Sequence, residues 1–388
     1  MTCQFILFSI IRNVVCGEPL SQSVQDACTP EVLESLYSLA KKHDLAHLIA
    51  CGLEKFDKPD SEIISKFQDA KKRAVMRYLR SEYELNRIGH VLENNRIQHI
   101  PLKGAVLREY YPEQWMRTSG DLDILVHENE VEQASGVLET TLGYTRIKKG
   151  DHDISLRSSS GLLIELHYLA IDEGRFPHAQ RILSRIWDDS IATSGFRRNL
   201  PDELFYFYHI AHMAKHIENG GCGIRPFLDL WILNHKMHFD VQNRRKLLEG
   251  GMLVPFAEAA EKLSEVWFSQ MKMDPLSQHF EDYVLRGGTH GILENQIGVY
   301  QTKLGSKIRY ALQKIFLPYD TLKYHYPILQ KHKFLTPIFE VIRWLKLLFK
   351  GGIKRSAREM QMNVSMTGER MTEIQQLLLY LGLESKDR

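Results

Sequence analysis

Residues 117–126 read RTSGDLDILV, a polar turn running into an alternating strand, and they decide the kind of fold to expect. In an extended chain, residues two apart point to one side. Asp121 and Asp123 therefore share a face, while Leu122, Ile124 and Val126 share the other. Two carboxylates this close repel each other and favour a neutralising cation. Hard oxygen ligands suit Mg2+ (or Mn2+), which keeps waters and draws further ligands from substrate phosphates. The alternative is an exposed acidic edge strand, and the aliphatic run that follows fits that poorly.

Working outward, Ile97–Leu102 reads as a short strand ended by Lys103-Gly104, and Ala105–Tyr111 as a short helix closed by Pro112. Glu128–Leu142 is a predicted helix stopping at Gly143. Tyr144–Lys149, Ile154–Arg157 and Leu162–Leu169 follow as strands separated by turn residues. This order describes a compact α+β unit with a small mixed sheet. At Lys103-Gly104 a phosphate can approach the backbone, and Lys103 can add a point charge. Glu165 is the one acid in its apolar strand. It needs a partner, either a metal shared with Asp121 and Asp123 or a nearby Arg or Lys. His167 lies on the same face, as an orienting group or a satisfied core histidine.

Both flanks read as helical, so the expected division is 1–95 helical, 96–195 α+β core and 196–388 helical. Val32, Leu33, Leu36, Leu39 and Ala40 repeat at helical spacing. Residues 1–17 read as a buried helix ending at Gly17, not as a signal peptide. His209, His212 and His216 share one helical face, for which a substrate-side or packing role is expected over a metal site. Arg225 and Asp229, one turn apart, pair most simply with each other, although Arg225 can also reach a phosphate. Asp151-His152-Asp153 reads as a turn, and His43-Asp44 with His47 as a helix surface. Phe334–Lys350 reads as a core-facing helix, with docking on a membrane or partner as the alternative.

The chain has 388 residues, 44% hydrophobic and 25% charged, with a net charge of +2. That balance argues against a long nucleic-acid contact and leaves room for a local basic patch. Five cysteines, none in a C-x-x-C pair, suit a reducing cytoplasm. No stretch suggests a transmembrane segment.

Taken in order, Leu102-Lys103-Gly104, Arg117 before Asp121-Leu122-Asp123, and Glu165 in a hydrophobic strand resemble the polymerase-beta-type nucleotidyltransferase superfamily. The closest resemblance is to a bacterial branch labelled simply uncharacterised nucleotidyltransferases. That branch carries a helical segment like His209 to His216, then Arg225 and Asp229, and the resemblance covers roughly residues 30 to 235. One departure stands out: Lys103-Gly104-Ala105 replaces the Gly-Ser of the wider superfamily and lacks its hydroxyl. The resemblance implies Mg-dependent transfer of a nucleoside monophosphate from an NTP, with ATP expected, to a hydroxyl acceptor with release of pyrophosphate. It implies Asp121, Asp123 and Glu165 as catalytic metal ligands, with Lys103, Gly104 and Arg117 on the nucleotide. The competing expectation is an inactive nucleotide-binding or regulatory protein with the same fold.

Overall fold

A computed structural model describes residues 1–56, 61–171, 176–193, 195–349 and 353–384. Five strands form one mixed sheet: β1 (His99–Pro101), β2 (Asp121–Val126), β3 (Thr145–Lys149), β4 (Asp153–Arg157) and β5 (Leu163–His167). Their spatial order is β1-β2-β5-β4-β3. β2 and β5 run parallel at the centre, and every other pairing is antiparallel. The parallel pair is made possible by a long crossover through the Val131–Leu142 helix and the β3–β4 hairpin. That helix ends where expected, at Gly143, whose φ of 68° closes it in the left-handed region.

The alternation in β2 fixes which face is dry. Leu122, Ile124 and Val126 pack with Ile164 and Leu166 of β5, with Val131, Ala134 and Leu138, and with Ile88, Val91 and Leu92. Each fully buried aliphatic side chain contributes roughly 1.5–3 kcal/mol. A one-residue slip of β2 would turn three of them toward the polar face, at a cost of several kcal/mol. Register is therefore set by hydrophobicity, and the acids are left on the opposite face.

The Glu62–Asn94 helix joins the sheet to the helical body. Ser61 caps it by accepting from the Ile64 N–H. Its C-terminal part packs under the sheet, while Ile63 and Phe67 belong to a second core. That second core also takes residues from the first helix (Cys3–Ile11), from Pro30–Lys42 and Ala46–Leu53, and from Asp202–Glu218, Arg225–Lys236 and Val254–Phe268. N-terminal and C-terminal helices thus share one apolar interior. The first helix continues as a π-turn, Arg12–Cys16, and stops at Gly17.

Three expectations are corrected. His43, Asp44 and His47 are not a helix surface: His43 and His47 are buried, and Asp44 bonds Arg77, Arg225 and Thr118. Asp151-His152-Asp153 is not only a turn, since Asp153 opens β4 and is buried opposite His167. The Thr336–Phe349 helix does not face a core, because Ile338, Val341 and Leu345 are exposed.

Burial pushes His43 and His47 down to about 4. The unfolded chain takes up protons on both groups near pH 6.5, whereas the native state resists until about pH 4. Stability from these two histidines is therefore complete above pH 6.5 and is lost as pH falls toward 4. Urea midpoints should drop across that window, and the slope should flatten in a His43→Gln/His47→Gln variant; equal slopes would contradict this.

Candidate active site

The central parallel pair brings the acids together. Asp123 on β2 is the register partner of Glu165 on β5, and Leu125 is that of His167. Asp123, Glu165 and His167 consequently project from neighbouring positions on one face. One ligand atom from each lies within 4.8 Å of the others. That span is close to twice a metal–oxygen or metal–nitrogen bond of about 2.1 Å, so the three side chains can converge on one divalent ion. Asp121 shares the face but is not among these three; its Oδ1 accepts from Ser119 Oγ at 2.9 Å.

Asp123 is 3% exposed, and its Oδ1 accepts from Lys103 Nζ and from His167 Nε2, both at 2.8 Å. Burial alone would raise this carboxyl, but Lys103 and His167 outweigh it and hold Asp123 well below the ordinary carboxylate range. Asp121 moves the other way: burial first, then repulsion from Asp123, raises it. Glu165 is lowered chiefly by its hydrogen bond with His167. His167 is raised, because bonds to Asp123 and Glu165 overcome the effect of burial. Its Nδ1 is buried without a partner among the described residues. The carboxylates of Asp123 and Glu165, with His167 bonded to both and Asp121 beside them, offer donor chemistry that suits a divalent cation.

Lys103 reaches Asp123 from an unusual backbone position. Its φ is 44° and its ψ −116°, a region costly for a non-glycine residue and more often occupied at functional sites. Leu102 N–H donates to the Asp123 carbonyl at 3.0 Å, which ties this turn to β2. Gly104 follows because space is short: a Cβ there would stand 3.2 Å from Ser119 and 3.4 Å from Arg117 Nη1. Its close approach is to the 117–119 loop.

Arg117 spends its hydrogen bonds outside the sheet, although the charge of Asp121 still reaches it. Its Nε donates to Asp229 at 2.7 and 3.0 Å, and Nη1 donates to the Thr118 carbonyl at 2.6 Å. Tyr111 also donates to Asp229, at 2.7 Å. Arg225 does not pair with Asp229, as the one-turn spacing suggested. It bonds Asp44 at 3.1 Å and the Thr118 carbonyl at 3.0 Å. Short helical pairings are weak, and the buried Asp229 carboxylate is already claimed by a better-aligned guanidinium.

The histidine face divides. His209 bonds the Pro226 carbonyl at 3.0 Å and so ties two helices together. His212 stands 3.2 Å from His216, and burial with the nearby Lys103 charge lowers it well below the usual range. Tyr208, which sequence reasoning missed, is 2% exposed, and burial together with Asp123, Asp121 and Glu165 pushes its phenol up against the pull of Lys103. The only available signal was its one-turn offset from His212, hidden in a helix rich in buried aromatics. Ser155 and Asp153 on β4, opposite Glu165 and His167, extend the polar strip across the sheet.

The five-stranded mixed sheet thus carries an acid–histidine cluster on its polar face. A model of the uncharacterised nucleotidyltransferase family matches residues 30–268, and the chain belongs to that family. No curated protein and no solved structure matches the chain.

Removing one partner of the buried Arg117–Asp229 pair strands a charge at 0–8% exposure, which typically costs about 3–5 kcal/mol. Asp229→Asn and Arg117→Met should each lower stability by that order in urea titrations, and the double variant by less than their sum. A single variant within about 0.5 kcal/mol of the wild type would refute a structural role for the pair.

Proposed function

We propose that this nucleotidyltransferase moves a nucleoside monophosphate from an NTP, with ATP the expected donor, to a hydroxyl acceptor. The acceptor oxygen bonds the α-phosphorus, the bond to the bridging oxygen breaks, and pyrophosphate leaves. Supporting this reading above all is the convergence of Asp123, Glu165 and His167 from adjacent parallel strands, with Asp121 on the same face. A bound Mg2+ or Mn2+ would supply charge neutralisation at the attacking and leaving oxygens. Asp121, Asp123 and Glu165 are the proposed ligands, and His167 orients Asp123 and Glu165 through its Nε2.

Glu165, a quarter exposed, would lower the pKa of the acceptor hydroxyl or take its proton. Lys103 lies beside Asp123 and can turn from that carboxylate to a phosphate oxygen. Arg117 acts on the nucleotide indirectly, since its guanidinium holds the 117–119 loop and the start of β2. Gly104 packs on the same loop.

The Lys103 ammonium on Asp123 favours one second reading, a nucleotide-binding protein without turnover in which lysine stands where a cation otherwise would. Thermal shifts with each NTP, with and without Mg2+, and label transfer from NTP to cell extract separate the two. Transfer should require the divalent ion. Glu165→Gln and Asp121→Asn should lower it by roughly 10²–10⁴-fold while leaving melting temperatures nearly unchanged. Nucleotide binding without any transfer would support the second reading, and undiminished transfer in both variants would remove these residues from the mechanism.

A further inference from the structure

The net charge of +2 hides an uneven distribution. Of 50 Lys+Arg, thirteen fall between residues 303 and 358; of 48 Asp+Glu, only Asp320 and Glu340 do. The remainder of the chain is net acidic. This basic segment also carries large exposed apolar side chains. Phe334 is 76% exposed, Ile338 56%, Val341 59% and Leu345 47%. Their spacing of four, three and four residues sets them on one face of, and just before, the Thr336–Phe349 helix. Trp344 lies alongside, also exposed.

The helix is held with its amphipathicity inverted. Its charged pair points inward: Glu340 is buried, accepts from the Leu317 N–H at 2.6 Å and receives Arg343 Nε at 2.8 Å. Arg343 also donates to the Ile315 carbonyl. On the inner side Tyr326 packs against Phe339, and the exposed Lys346 reaches over the edge to its ring. These contacts fix the rotation of the helix, so the aliphatic stripe cannot turn toward a core. The adjoining helix, Lys307–Ile315, repeats the pattern, with Ile308 71% and Leu312 50% exposed while Tyr310 is buried behind them.

We infer that this C-terminal face lies on an anionic phospholipid bilayer, with the stripe Phe334, Ile338, Val341 and Leu345 in the interface and the exposed Lys331, Lys333 and Lys346 on lipid phosphates. An apolar stripe with Trp and exposed lysines beside it is the chemistry of an interfacial helix. No helix among the described residues is long and apolar enough to cross a membrane, and this one spans only about 21 Å at 1.5 Å per residue. A second copy is a poor occupant, because it would bring two strongly basic segments together. Nucleic acid fits less well, since Ile, Val and Leu give bases nothing to stack on.

The test is sedimentation of the full chain with phosphatidylcholine vesicles, with and without phosphatidylglycerol. Binding is expected with phosphatidylglycerol and should weaken with added salt. Ile338→Glu/Val341→Glu should weaken it by about tenfold or more, with the melting temperature unchanged because both side chains are exposed. Lys331→Gln and Lys346→Gln should each weaken it roughly fivefold. No binding to phosphatidylglycerol vesicles, binding untouched by the paired Glu substitutions, tighter retention by a polynucleotide, or a solution dimer that those substitutions split would each overturn the inference. Vesicle binding reads no turnover, so it stands or falls separately from the catalytic proposal.

Discussion

The Asp123 carboxylate, buried at the centre of a parallel strand pair, is the point on which the polar face of the sheet depends. An unpaired charge at that depth costs several kcal/mol, so its partners are obligatory. Lys103 and His167 meet the requirement, and each imposes a further constraint. Lys103 reaches Asp123 from a positive-φ turn, and Gly104 after it fits closely against the 117–119 loop. His167 reaches it because β5 runs parallel to β2 in a register that pairs Asp123 with Glu165.

A second ionic layer holds this arrangement in place from behind. Arg117 and Asp229, with Tyr111, fasten the loop before β2 to the Arg225–Lys236 helix. Arg225 and Arg77 converge on Asp44, which also receives the Thr118 hydroxyl. The loop that aims Asp121 and Asp123 is thereby clamped between the N-terminal helices and the C-terminal ones. Both sets of helices share one apolar interior. The helices flanking the sheet are thus part of the machinery that orients the acids.

The distribution of surface chemistry adds a different constraint. Basic charge and exposed aliphatic residues coincide on the C-terminal helices, while the acid cluster sits in the α+β core. An enzyme held to a lipid surface by one end would meet acceptors confined to that surface, which links the two proposals in space without making either depend on the other.

Much of the core was legible in the chain itself. Alternation in RTSGDLDILV located β2 to the residue, and the isolated acid in an aliphatic run marked Glu165, because strand period and hydrophobic burial are local properties. Gly17 and Gly143 stopped helices in left-handed caps, which glycine adopts without steric cost. Ion-pair choice was not legible: Arg117 lies 112 residues from Asp229, and Arg225 lies 181 from Asp44. Nor was the orientation of the Thr336–Phe349 helix, whose sequence fits a core or an interface equally well until Glu340 and Arg343 are seen to face inward. Periodicity tells which side of an element is apolar; only the packed chain decides what that side meets, since partners for buried charges are selected by distance in space.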